Sequence, residues 1–253
     1  MRVRVKFAKA GKLRFISAID LGRVWERALR KADLPIAFSE GFSPHPKISF
    51  GDALPLGFAS VAEFAELAFG GPVNLADMTT RLNRAFPEGI DVLDAVEVGE
   101  GARRLGKLLQ ASMWVLEYSD TAVATDAVAA LPPDGPLLVQ RDRKGELVTA
   151  DLRPPLAGIA VVDGRVRAII RHPGFIPDTP EGGVAVRADD IHTALGLSDP
   201  PTVITRVAQG RVADHTAGVL DALRDSIEPL RPDSSSARVS DSDRGSPTKE
   251  HFP

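Results

Sequence analysis

From Arg2 to Phe7 basic and apolar side chains alternate, with Val3, Val5 and Phe7 set against Arg2, Arg4 and Lys6. This two-residue period is that of a strand with one buried face. Gly11 interrupts the run before Leu13 and Phe15, which predicts a strand or short hairpin. After Ser17 the period changes. Leu21, Val24, Trp25, Ala28 and Leu29 recur at helical spacing, Ser17 and Asp20 hold the positions of a capping pair, and Pro35 lies just past the end. The opposite face of that helix carries Arg23, Arg27, Arg30 and Lys31 as a basic stripe.

The pattern then predicts a strand at "KISFG", another at "ASVAEFAELAFG", a capped helix at "NLADMTTRLNRAFP" and a strand at "GIDVLDAVEV". The order is βαββαβ, the ferredoxin-like arrangement, in which two helices cover one face of an antiparallel sheet and leave the other available. "GEGARRLGK" reads as a polar linker. Beyond it the cycle restarts with "LQASMWVLEY", a helix over "TAVATDAVAAL", and strands at "PLLVQRD", "ELVTADL", "GIAVV" and "RVRAII". Asp163-Gly164 between the last two is a two-residue type I′ hairpin signal. A helix at "RADDIHTALGL", a strand at "PTVITRVAQGRV" and a short helix over "DHTAGVLDALRDSI" complete this half. The expected fold class is α+β, with two tandem ferredoxin-like domains, residues 1–100 and an embellished 108–228. The Ser-, Pro- and Asp-rich residues 229–253 read as a disordered tail.

Composition narrows the function. There is no cysteine, so the chain can hold neither disulfides, thiolate zinc nor a cysteine-ligated iron-sulfur cluster. No apolar run approaches the roughly 18–20 residues of a membrane span, and the N-terminal stretch lacks the apolar core of a secretory signal, so a cytoplasmic, membrane-free protein is expected. The net charge of −3 conceals an asymmetry: residues 1–50 hold eleven Lys/Arg against four Asp/Glu, a net +7, and the remainder is acidic. A basic front points to an anionic partner, with RNA or phosphate ahead of membrane. His45, His172, His192, His215 and His251 show no metal-ligand spacing, and "GEGARRLGK" lacks the ending of a phosphate loop. No metal, cofactor or catalytic residue is assigned, and His172 and His192 are read as structural or surface residues.

The densest signal is "FSEGFSPHPKISFG", residues 38–51. Pro44 and Pro46 push Ser43 and His45 towards extended backbone, and Gly41 allows an unusual turn just before them. Phe38 and Phe42 beside Lys47 suit stacking on a base over a phosphate, whereas the alternative is that these rings are core and the prolines only stiffen a crossover.

The stretch "KLRFISAIDLGRVWERALRKADLPIAFSEGFSPHPKISFGDALPLGFAS" resembles the radical-SAM-linked protein family, a domain fused behind a cobalamin-binding radical SAM protein or acting as its separate partner. The resemblance covers residues 1 to about 120 and, less sharply, "TADLRPPL" and "RADDIHTALGL". Its characteristic positions correspond to Arg14, Asp20, Arg27, Ser39, Gly41, Phe42, Pro44, His45, Pro46, Lys47, Ser49 and Phe50. Ala18 stands where the family usually has histidine. The resemblance implies an accessory, substrate-handling module for a separate radical SAM enzyme. With the basic front, RNA becomes the expected substrate class, as in tRNA or rRNA modification. The expected binding residues are Arg14, Arg23, Arg27, Arg30, Ser39, Gly41, Phe42, His45 and Lys47. Two alternatives stand beside this: a metal-free endoribonuclease with His45 as acid or base and Lys47 on the phosphorane, and a protein-interaction scaffold.

Overall fold

In the computed structural model the described residues are 1–143, 145–177, 185–213, 218–224 and 226–230. In chain order the elements are β1 (Arg2–Lys9), α1 (Ala18–Lys31), β2 (Ile48–Phe50), β3 (Ala59–Ala68), α2 (Leu75–Ala85), β4 (Ile90–Glu97), α3 (Leu105–Leu108), β5 (Ala111–Glu117), α4 (Thr121–Ala129), β6 (Leu138–Arg143), β7 (Glu146–Asp151), β8 (Leu156–Val162), β9 (Arg165–Arg171), α5 (Ala188–Leu195), β10 (Val203–Ala213), β11 (Gly218–Asp221) and β12 (Ile227–Pro229). The protein is mixed α+β. One large mixed sheet runs β4-β1-β3-β10-β5-β9-β8, with β2 added to β3, β11 to β10 and β12 to β11, and β6-β7 form a separate ladder. Among the described residues no helix is long and apolar enough to cross a membrane.

The first half follows its periodicity. Val3, Val5 and Phe7 of β1 meet Leu21, Val24, Trp25, Ala28 and Leu29 of α1 and Met78 and Leu82 of α2 in one buried core. The Asp20 amide donates to Ser17 Oγ at 3.1 Å, and the Ser17 hydroxyl donates to the Asp20 carboxylate at 2.7 Å, which fixes where α1 starts. Between β1 and α1 the chain forms a 3-10 turn over Gly11–Phe15 rather than a hairpin. Asp163 and Gly164 both take positive φ, 51° and 71°, as their two-residue turn between β8 and β9 requires.

The two halves share one sheet, because β3 and β10 pair in parallel at Ala59–Thr205 and Ser60–Arg206. Three expectations are corrected. The second face of the first-half sheet is not left open. Leu105, from the stretch read as a polar linker, and Leu109, from the start of "LQASMWVLEY", pack with Ala62 and Phe64, joined by Ala222 and Leu223. Ion pairs pin the cover in place: Lys6 to Asp221 at 2.7 Å and Arg224 to both Asp94 oxygens at 2.7 and 2.8 Å. Leu105 within the polar segment was the missed signal. The helix expected over 214–227 is replaced in its described part by β11 and β12, because Val219 is needed in the core under β8 and β9. Pro229 and Leu230, assigned to the tail, instead close β12 and a buried contact, while the rest of the tail, 231–253, lies outside the described residues.

Candidate functional site

The segment of residues 36–47 folds into a stapled arch. The Ser39 amide donates to the His45 carbonyl at 2.8 Å, the His45 amide to Ser39 Oγ at 3.0 Å, and the Lys47 amide to the Ala37 carbonyl at 2.8 Å. The base is tied to β3, since Ala37 donates to the Ala68 carbonyl at 2.8 Å and Ala68 to that of Lys47 at 3.1 Å. Gly41 at the tip has φ +123°, a conformation that side-chain-bearing residues rarely adopt. The aromatic residues divide. Phe50 turns inward against Phe7 and Trp25, whereas Phe38 is 45% exposed and Phe42 is wholly exposed.

His45 and Lys47 are exposed on the same arch, and the His45 ring stands 4.0 Å from Glu26 of α1. The arch therefore flanks the helix whose outer face carries Arg23, Arg27, Arg30 and Lys31, all exposed. Arg23 pairs with Asp20 at 3.1 Å and Arg30 with Glu26 at 3.8 Å, while Arg27 and Lys31 have no ion pair among the described residues. Of the expected residues, Arg23, Arg27, Arg30, Ser39, Gly41, Phe42, His45 and Lys47 thus share one region. Arg14 does not join them. It lies in the 3-10 turn before α1, with its guanidinium 4.8 Å over the Phe15 ring.

A second cluster, which sequence reasoning did not find, lies where the halves meet. Arg206 of β10 is buried, with its guanidinium 4.7 Å over the Trp114 ring. It donates to Glu63 at 3.2 Å and to the Asp52 carbonyl and carboxylate at 3.1 and 3.4 Å. Lys9 is buried nearby and donates to the Ile16 carbonyl at 3.1 Å. Burial pushes the Glu63 carboxyl up against the opposing pull of Arg206, and burial draws the Lys9 ammonium down against Glu63. A cavity of about 70 Å³ bordered by Lys9, Asp52 and Glu63 has room for water at these groups.

His172 completes the cluster. Its Nδ1 lies 2.9 Å from the Leu109 carbonyl, which can only accept, so Nδ1 carries the proton and Nε2 accepts from the Ser112 hydroxyl at 2.8 Å. The pairing is that of an activated serine, yet Ser112 is fully buried on β5 and presents no nucleophile to a substrate. The His172 ring is drawn below its usual 6.5 by burial, against the pull of Asp52 3.9 Å away. A histidine so shifted contributes stability that is present above its unfolded value and lost as pH falls towards the folded one. Between pH 7 and 5 the unfolding free energy should therefore fall, by at most about 1.4 kcal/mol per pH unit from this group, and less steeply in His172→Gln. Equal slopes in urea titrations of the two proteins would remove His172 from the acid response.

Beside this junction opens a cleft of about 800 Å³, bordered by Asp52, Arg104, Lys107, His172, Pro173 and Phe175. The described residues hold no cluster of three or more His, Asp or Glu that could take a metal ion. No curated protein matches the sequence. A family model described as "Uncharacterized protein conserved in bacteria (DUF2344)" matches residues 2–173, a span that includes the arch, α1 and His172 and stops before β10. With well over half its length inside that match, the chain belongs to the DUF2344 family of bacterial proteins.

Proposed function

We propose that this protein is an accessory, substrate-handling module that binds RNA through the arch and the outer face of α1 and works with a separate radical SAM enzyme in the cytoplasm, in tRNA or rRNA modification. One observation carries the RNA reading: Phe42 is wholly exposed at the tip of a stapled backbone that also carries the exposed Lys47 and that flanks, through His45 and Glu26, the helix bearing four exposed cations. An exposed ring on a rigid support beside phosphate-binding charges is the arrangement that stacks bases in single-stranded nucleic acid. The radical SAM link rests on the resemblance of residues 1 to about 120. It fits a chain that, lacking cysteine, cannot hold the enzyme's cluster itself. With the second face of the sheet covered, we assign this role to the arch and α1.

The sheet order supports a finer reading of the fold. β4-β1-β3-β2 in the first half and β10-β5-β9-β8 in the second each have the order of a ferredoxin-like unit, and we read residues 1–100 and 108–228 as two such units joined edge to edge. Their apolar cores are distinct. Cleavage chemistry has less support. His45 has Glu26 at 4.0 Å and no further hydrogen-bonding group on its ring among the described residues.

Phe42→Ala should weaken binding of a labelled single-stranded RNA by about 1–3 kcal/mol and leave the thermal midpoint unchanged, since the ring is wholly exposed. Reversing Arg23, Arg27 and Arg30 to glutamate should weaken it further and flatten the salt dependence. Fluorescence anisotropy across a salt series reads both. RNA affinity unaltered by either change at low salt would end the reading, and so would a collapse of folding in Phe42→Ala with normal binding by the folded remainder.

A further inference from the structure

We propose that the cleft between the halves is a second site, separate from the arch, that takes a nucleoside monophosphate. Its volume of about 800 Å³ lies within the range of about 300–1,000 Å³ typical of small-molecule sites. The charges on its walls differ in how they are satisfied. Arg2 is engaged by Glu66 at 3.1 Å, and the buried Arg206 behind the wall is engaged by Glu63 and Asp52. Arg104 and Lys107 are exposed, and neither has an ion pair among the described residues. Two unneutralised cations three residues apart at the edge of a concave site call for a compact dianion, and a phosphate monoester supplies one.

The rest of the lining is not that of a simple anion site. Phe175 is held against the cleft by its amide, which donates to the His172 carbonyl at 3.0 Å, and Pro173 lies between them. This gives a half-buried ring with an apolar neighbour, which suits the face of a base. The Asp52 side chain is 53% exposed and uses one oxygen on Arg206, so it retains acceptor capacity for ribose hydroxyls or an exocyclic amine. Phosphate-binding cations, an aromatic wall and a carboxylate acceptor within one cleft match the three parts of a nucleotide. Inorganic phosphate would leave most of that volume, and the ring, unused.

The test is calorimetric titration of the full chain with AMP, with adenosine and inorganic phosphate as separate arms. Saturable AMP binding is expected, weakened about tenfold or more by Arg104→Ala or Lys107→Ala. Phe175→Ala should weaken AMP while leaving any response to inorganic phosphate alone. Arg104 and Lys107 are exposed, so their variants should keep the native thermal midpoint, which is checked in parallel. Phe42→Ala should bind AMP normally, which separates this site from the RNA reading. Absence of saturable binding up to about 5 mM AMP would overturn the proposal. So would AMP affinity unaffected by both cation variants, or inorganic phosphate or adenosine binding as tightly as AMP.

Discussion

Arg206→Met is expected to destabilise the protein by about 3–5 kcal/mol, because it strands a buried carboxylate rather than because it removes a strong bond. Glu63 is 5% exposed, and burial already raises its pKa while Arg206 provides the largest opposing pull. Once the guanidinium is gone, Lys9 is the remaining cation that opposes the shift. Arg206 also holds the Asp52 and Ala53 carbonyls, so its loss unties the segment leading from β2 towards β3. The sign of the pH dependence follows. A carboxyl whose folded pKa is raised further above its unfolded value contributes least once pH has risen through the folded value. The deficit of Arg206→Met relative to wild type should therefore be larger at neutral pH than in mild acid. Adding Glu63→Gln should restore a substantial part of it, since the uncompensated charge is then absent. Urea unfolding at two pH values reads this. A deficit independent of pH, with no recovery in the double variant, would mean that Arg206 acts through its packing on Trp114 alone.

That cluster was invisible in the sequence for a physical reason. Arg206 lies 143 residues from Glu63 and 154 from Asp52, and nothing in the local pattern of "PTVITRVAQGRV" distinguishes an arginine on a solvent face from one turned into a junction. The alternation of β10 was readable, but the pairing with β3, which brings Glu63 and the Asp52 segment to Arg206, is a long-range fact. His172, read as structural or surface, could be given no partner for the same reason, since its partners are a backbone carbonyl 63 residues away and a serine 60 residues away. What the sequence did convey was local. The buried face of α1, its cap, the β8-β9 turn and the stiffness of the arch each depend on residues within a few positions of one another. Even there, the pattern in residues 38–51 could not say which ring faces in. Phe50 falls on the core side because β2 pairs with β3 in the register Ile48–Leu67 to Phe50–Ala65, and Phe42 is left outside because the Gly41 turn precedes that pairing.

Trp25→Ala should cost about 3–5 kcal/mol and loosen the arch as well. The indole is fully buried and meets three rings edge-on, Phe86 at 4.8 Å, Phe7 at 5.1 Å and Phe50 at 6.0 Å between centroids. Truncation would open a void among aromatic neighbours that cannot close without moving β2. One term acts the other way. The indole Nε1 is buried without a hydrogen-bond partner among the described residues, a defect worth about 1–3 kcal/mol. Trp25→Phe removes that unpaired donor while keeping most of the ring, so it should be far less costly than Trp25→Ala and near neutral if the residual gap is small. Phe50 carries the effect outward, because it ends the strand that begins at the base of the arch. Hydrogen exchange at the Ser39 and Lys47 amides, both bonded across the arch, should accelerate in Trp25→Ala by more than at the β8-β9 ladder and stay near wild type in Trp25→Phe. Protection at Ser39 and Lys47 that falls only in step with global stability would show that the bonds to β3 hold the arch without help from the core. Selective loss there would place the rigidity that presents Phe42 in the packing of Trp25 on Phe50.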